Sequence, residues 1–326
     1  MGNELGFWGF RRQDGRSGVR NHVTVISAMD LSNTVVRKIC FLVRGSIPIL
    51  PRFGRLQLGV DATQHMRTLI GVGANPNVFG ALVVSLEGES ARQTADGIRA
   101  SGKPVQILDV QAAGGSLHAA LAGARLAAEL VLEASRAQRE WCPLRDLTLG
   151  LKCGGSDTTS GIAANPAIGV VTNRVIEAGG TVLFSEPSEL MGAEKVIAER
   201  AVSREAAEAI MAAIARRERL ALDHGIDVRG TNPTPDNIAG GITTVEEKAF
   251  GSLAKSGTGP IQGVVPYACR PPRPGLWLMD GPGPAVELMA GMAAGGATAM
   301  LFSTGVGNPV GGPIAPTLRV TGRPST

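Results

Sequence analysis

Along most of the chain, short runs of apolar residues alternate with longer stretches in which apolar positions recur at helical spacing. Polar, glycine-bearing turns separate them. The runs His22–Ala28, Ile47–Leu50, Gly80–Leu86, Pro104–Val110, Leu147–Leu151, Thr181–Phe184, Leu276–Asp280 and Thr298–Phe302 read as buried strands. Thr34–Val43, Asp61–Val72, Ala91–Ala100, Leu117–Glu140 and Ile162–Ile176 carry helical spacing, and Met191–His224 is long enough for two helices. A further helix opens within Gly240–Lys248, with Thr243 or Thr244 as its cap and Glu246 in its first turn. This alternation predicts an α/β fold: two α/β lobes with mainly parallel sheets and glycine-rich strand-end loops. The stretch Trp141-Cys142-Pro143-Leu144 interrupts the pattern. The lobes are therefore expected at 1–145 and 146–326, the second holding the loop Cys153-Gly-Gly-Ser-Asp157. No internal repeat is visible.

Composition narrows the class. With 44% hydrophobic residues but only 4% aromatic ones, the cores must rely on aliphatic side chains and alanine. The net charge of +4 is spread along the chain, with no Lys/Arg run interleaved with aromatics, so no nucleic-acid partner is expected. A small acidic substrate suits the balance better. Cys40, Cys142, Cys153 and Cys269 lie far apart without a C-x-x-C pair, which predicts neither a disulfide framework nor a zinc knuckle and favours a reducing, cytoplasmic setting. The first residues lack a basic start and a long apolar core, and Gly2 lacks the Ser or Thr at position 6 of an acylation site. No apolar stretch is long enough for a membrane span.

The chemistry concentrates at the turns. From Leu147 to Pro166 an apolar run gives way to Lys152, Cys153, two glycines and five consecutive oxygen-bearing side chains, Ser156 to Ser160, ahead of a helix. Two readings stay open: a capped strand-to-helix turn without chemistry, or an anion site built on the helix start. Other strands also end in carboxylates, at Glu87-Gly88-Glu89 and at Ser185-Glu186, where ligands bind in open α/β sheets, although an acidic first helical turn is an equal reading for Glu89. The arginine-rich stretch before the first strand offers Arg16 and Arg20 to a carboxylate, or simply covers a sheet edge. The loop Asp227 to Ala239 is rich in hydrogen-bonding groups, including Asn232, Asp236 and Asn237, and Lys255-Ser-Gly-Thr-Gly259 forms another polar turn.

Taken together, R-R-Q-D-G-R-S-G-V-R-N (from Arg11), L-K-C-G-G-S-D-T-T-S-G-I-A-A-N-P (from Leu151), G-G-T-V-L-F-S-E, D-N-I-A-G-G-I-T-T-V-E-E-K, L-A-K-S-G-T and F-S-T-G-V-G-N-P resemble the altronate and galactarate dehydratase family, which includes the large subunit of sulfolactate sulfo-lyase. The resemblance runs from about Gly9 to Gly322. It implies β-elimination of water from a small sugar-acid-type hydroxycarboxylate to a 2-keto-3-deoxy acid, assisted by a divalent metal, iron or magnesium/manganese. Such a reaction needs a base for the proton next to the carboxylate and a cation for the resulting enolate. On this resemblance Lys248, Glu186 and Asp157 are the catalytic candidates, with Lys152 a further source of charge. Ser156, Arg20, Asn237, Lys255, Gln57 and Thr304 are candidates for substrate binding, and Cys153 and Glu89 for metal ligation. It also implies a small sugar-acid-binding partner subunit and a homo-oligomer.

The first half departs from the family pattern. Asp30-Leu31-Ser32-Asn33 stands where a Cys precedes Ala-Asn. Pro51-Arg-Phe-Gly-Arg-Leu-Gln57 stands for His-x-x-Gly-Cys-Gly-Gln, and Glu87-Gly88-Glu89 for Gly-Cys-Glu. The usual metal site is then missing or rebuilt from oxygens. Family members also continue past Gly322, where this sequence ends at Thr326. Two other readings follow: a non-catalytic or partner-dependent subunit, and a C–S lyase acting on a sulfolactate-like acid. Glu186→Gln and Lys248→Ala are expected to abolish turnover with melting nearly unchanged.

Overall fold

The computed structural model describes residues 5–326; Gly2, and with it the acylation reading, lies outside them. Two parallel sheets organise the chain, as the alternation predicts. The first has strand order β4-β3-β5-β6, from β3 (His22–Ser27), β4 (Ser46–Ile49), β5 (Val78–Ser85) and β6 (Val105–Asp109). The second has order β10-β11-β9-β8-β12-β13, from β8 (Thr148–Cys153), β9 (Thr181–Phe184), β10 (Ile261–Pro266), β11 (Gly275–Asp280), β12 (Ala299–Ser303) and β13 (Thr317–Val320). All ladders within these two sheets are parallel. Their central strands are buried on both faces, which is why H-V-T-V-I-S and V-F-G-A-L-V-V-S read as continuous apolar runs.

Three expectations are corrected. The helix beginning near Leu117 spans Ser116–Ser135 and does not reach Glu140; Glu140–Pro143 forms β7. That strand pairs antiparallel with β1 (Gly6–Arg11), which also pairs with β2 (Ser17–Gly18) in a small third sheet. The supposed break thus pairs with Gly6–Trp8, just ahead of the arginine-rich arm and more than a hundred residues away, a pairing that no local periodicity encodes. Trp8 and Trp141 meet edge to face across it at 5.9 Å. Strands β10 and β13 were not expected at all. β10 carries Gly263 and ends in Pro266, and β13 is a short, half-exposed edge.

The region Met191–His224 resolves into two helices, Glu194–Glu199 and Arg204–Asp223, with Ser203 capping the second. Within Asp227 to Ala239 lie two short helical turns, Val228–Thr231 and Pro235–Ala239. Among the described residues no helix is long and apolar enough to cross a membrane.

Two buried asparagines tie the first sheet to the second. Asn77 Nδ2 donates to the Thr298 and Ile314 carbonyls at 2.8 and 2.9 Å, while its Oδ1 accepts from the Val19 and Arg20 amides. Asn75 Nδ2 donates to the Ala293 and Ala297 carbonyls. Beside them the helix Gly59–Gly73 packs on Ala285–Ala294 so closely that a Cβ on Gly71 would lie 2.4 Å from the Ala294 carbonyl oxygen; only glycine fits there.

Candidate active site

The C-terminal ends of four adjacent strands, β11, β9, β8 and β12, open on one side of the second sheet. β8 delivers Lys152 and Cys153, the turn after β9 delivers Glu186, and the turn after β11 presents the Gly283 carbonyl. The helix Val245–Ala254 lies alongside and brings Lys248, Ser252 and, at its C-terminal end, Lys255. Its start is fixed by Thr244, whose hydroxyl accepts the Glu247 amide at 3.1 Å, with Glu247 reaching back to Thr243.

A buried cluster results. Lys152 Nζ is ion-paired to Glu186 Oε1 and donates to the Gly283 carbonyl at 2.8 Å. Lys255 Nζ lies 3.3 Å from Cys153 Sγ, 2.6 Å from Ser252 Oγ and 3.7 Å from Glu186 Oε2. Cys153 Sγ is 3.6 Å from both Glu186 Oε2 and Ser252 Oγ. Lys152, Cys153, Glu186 and Lys255 are all at most 5% exposed. Burial acts to lower the Lys152 pKa, but the Glu186 carboxylate and the Cys153 sulfur outweigh it and the pKa is raised. With Cys153 protonated, the cluster sets two lysines against one carboxylate, and a buried cation surplus is costly until an anion, the Cys153 thiolate or a bound ligand, offsets it. Glu186 itself has a left-handed backbone, φ 72° and ψ 61°, immediately before Pro187. This strained conformation costs of order 1–3 kcal/mol in a non-glycine residue.

Above the cluster lies a cleft of about 270 Å³ whose lining includes Cys153, Ser252, Ser156, Asp157, Lys248 and Glu189. Lys248 Nζ is held on its wall by Glu189 Oε2 at 2.9 Å and Asn232 Oδ1 at 2.6 Å. Asp157 lines the cleft but its Oδ1 is engaged as a helix cap, accepting from the Ser160 amide at 2.9 Å, Thr159 Oγ1 at 2.8 Å and Ser160 Oγ at 3.1 Å. Burial works to raise its pKa, yet these bonds lower it overall, so Asp157 stays ionised. The carboxylate sits where Gly305 leaves space, since a Cβ there would lie 2.1 Å from its Cγ.

The other sequence candidates are distributed as follows. Ser156 lines the cleft, and its carbonyl accepts from Asn237 Nδ2 at 3.0 Å. Asn237 Oδ1 is spent on the Thr234 amide and hydroxyl, a capping role. Thr304 is buried beneath the loop, its hydroxyl accepting the Gly307 amide. Arg20, Gln57 and Glu89 belong to the first half and do not line this cleft. Arg20 is exposed with Nη1 on the Val19 carbonyl. Glu89 sits in the exposed first turn of the helix Gly88–Arg99, bonded to Gln93 and near Arg92, as the helix-start reading has it. Gln57 is half-buried, with Oε1 lacking a protein partner. Sequence reasoning missed Ser252, which lies one helical turn before Lys255 and carries no signal of its own.

The donors do not suit a divalent cation at this cluster. Both Glu186 oxygens already face lysine amines, Cys153 faces a third such contact, and among the described residues no group of three or more His, Cys, Asp or Glu side chains converges. No step is therefore routed through a metal.

Comparison with known proteins decides the family. The model of the C-terminal part of D-galactarate/altronate dehydratase matches residues 144–326, and the second-domain model of D-galactarate dehydratase/altronate hydrolase matches residues 9–135. The chain belongs to the D-galactarate/altronate dehydratase family. Relatives in this family include the (2R)-sulfolactate sulfo-lyase subunit beta of Chromohalobacter salexigens, 41% identical over 98% of this chain and 82% of that protein. The altronate dehydratase of Bacillus subtilis is 34% identical over 96% of this chain and 65% of its own length. The galactarate dehydratase (L-threo-forming) of Escherichia coli is 29% identical, over 97% and 65%. The chain thus spans just under two thirds of the length of these two dehydratases, and the relatives are lyases by name.

Proposed function

We propose that this dehydratase-family chain is a lyase acting on a small hydroxylated carboxylic acid in the cleft above Cys153 and Ser252. The observation that carries the reading is the buried cation surplus of Lys152 and Lys255 over Glu186 at the cleft floor, with Lys248 on the wall. An anionic substrate offsets that surplus, and the same positive field stabilises the enolate formed when the proton next to the carboxylate leaves. Lys248 binds the carboxylate. Cys153, in contact with Lys255 and Ser252, is placed to move a proton, and Glu186 keeps the two buried lysines in position. Asp157 shapes the loop as an ionised cap, so it is the weakest of the three catalytic candidates. Loss of water from a sugar-acid-type hydroxycarboxylate is the finer reading. Elimination of sulfite from a sulfolactate-like acid is the second, favoured by 41% identity to a sulfo-lyase subunit, whose name also supports a partner chain here.

Incubation with aldonates, aldarates and sulfolactate, with and without ferrous iron or magnesium, tests both. A 2-keto acid without sulfite selects the dehydratase, and sulfite release selects the C–S lyase. If neither forms under any metal condition, alone or with a small partner subunit, while a cysteine-bearing relative turns over, the lyase reading fails.

A further inference from the structure

A second, larger cleft of about 940 Å³ lies between the two halves of the chain, away from the candidate active site. Its wall carries Arg16 and Arg67 from the first half and Arg270 from the second, with Asp14 the sole acidic residue of the lining among the described residues. Asp14 is already taken. Its Oδ2 accepts from Arg16 Nε and Nη2 at 2.8 and 2.5 Å, and Arg16 Nη2 also donates to the Ala74 carbonyl at 2.8 Å. These bonds fix the Arg16 plane, and a Cβ built on Gly296 would lie 3.9 Å from Arg16 Nη1 and 4.0 Å from Arg270 Cγ. The half-buried Arg16 and the exposed Arg270, from opposite halves, therefore approach each other beside one glycine. Burial, then Arg16, lowers the Arg270 pKa, against the opposing Asp14 carboxylate, which is itself bound by Arg16. The Arg67 Nε is buried without a hydrogen-bond partner, and among the described residues no carboxylate pairs with Arg67 or Arg270. A buried guanidinium donor without an acceptor is expensive, and like charges drawn together are repulsive unless an anion lies between them.

We propose that this interlobe cleft binds a compact organic dianion, one anionic group on Arg67 and the other between Arg16 and Arg270, so that the ligand clamps the two halves together. Guanidinium forks match carboxylate and phosphate oxygens alike, and the cleft volume fits a small metabolite. The ligand is thus either a dicarboxylate or a phosphate ester that carries a second anionic group.

The test is calorimetric titration and thermal melting of the full chain with inorganic phosphate and, separately, with succinate, against sodium chloride at equal ionic strength. Saturable binding by either, with a concentration-dependent rise in melting temperature, is expected, and the stronger arm names the source. Arg67→Gln and Arg270→Gln should each weaken binding about 10-fold or more, the loss of one charge-assisted contact, with unliganded melting near that of the parent. Lys248→Ala should bind as the parent does. Absence of saturable binding beyond the chloride control overturns the proposal, as does unchanged affinity in both arginine variants. Loss of binding in Lys248→Ala overturns it too, because it places the anion in the other cleft. None of these readouts uses turnover, so they stand apart from the lyase assay.

Discussion

Replacement of Glu186 by glutamine tests the electrostatics of the buried cluster most directly. The amide keeps the volume and an acceptor for Lys152 but removes the one carboxylate that, among the described residues, is ion-paired to both Lys152 and Lys255. Leaving a buried cation without its counter-ion costs about 3–5 kcal/mol. An independent bound agrees: the folded chain can always shed the Lys152 proton, and neutralising a lysine of reference pKa near 10.4 at pH 7 costs roughly 4–5 kcal/mol. The sequence-based expectation that Glu186→Gln leaves melting unchanged is therefore replaced by a large destabilisation. The sign with pH follows. In the variant, burial, the largest influence, still lowers the Lys152 pKa and its strongest opponent is gone, with Cys153 and Glu189 left against it; with burial prevailing, the unfolded chain binds more protons between the folded and unfolded values and stability rises with pH. Urea unfolding at several pH values from 7 to 9 should show a deficit of about 3–5 kcal/mol at pH 7 that shrinks by up to about 1.4 kcal/mol per pH unit. A deficit under about 1 kcal/mol, or one independent of pH, refutes the reasoning, because it means that water already solvates the pair.

Three further outcomes are expected. Cys153→Ser should lower kcat about 10²-fold or more in the keto-acid or sulfite assay, with little change in unfolding midpoint, if the thiol moves a proton. Asn77→Leu should destabilise by about 3 kcal/mol or more in chemical unfolding, since it strands two buried carbonyls and two amides where the halves meet. Lys103, whose amine donates to the Val78 carbonyl, has its pKa pushed down to about 6 by burial, helped by Arg12 and Arg16. Its folded value lies below its unfolded one, so its burial penalty is full below pH 6 and is relieved as pH rises toward 10. Lys103→Met should accordingly flatten the pH dependence of stability over that window, with its largest advantage over the parent at the acid end.

How far the sequence reveals the fold depends on where the relevant partners lie. Strands buried on both faces announce themselves as apolar runs, and β3, β5 and β8 were legible for that reason. β7 was hidden because its stability comes from β1, far away in sequence, and β13 because half-exposed T-L-R-V carries little apolar signal. At the site, pattern alone left the turn of Cys153, Ser156 and Asp157 open between a cap and a ligand site; the family resemblance singled these residues and Lys248 out, and they do line one cleft. Glu89 was drawn in by its strand-end position, Arg20 by the arginine-rich stretch and Gln57 by the family resemblance, but all three belong to the first half, and neither position nor charge says which sheet a loop serves. Ser252 was invisible because a serine inside a helix has no distinguishing pattern until its neighbours across the fold are known.

Three costs converge on Glu186: a left-handed backbone, complete burial, and a charge count that its carboxylate only half balances. For stability alone, an apolar pair in place of Lys152 and Glu186 would serve as well or better, since such replacements of buried ion pairs are often neutral or stabilising by about 1–4 kcal/mol. What no apolar pair can supply is a fixed anion that keeps positive charge beneath the cleft without quenching it. The double variant Lys152→Met/Glu186→Leu separates the two roles. It should unfold at a denaturant midpoint at or above that of the parent, and far above that of Glu186→Gln, while losing binding of an acidic substrate. A double variant that is both stable and active would show that the cluster merely fills space; one as unstable as Glu186→Gln would show that the pair holds the loops after β8 and β9 together and that its charge is structural.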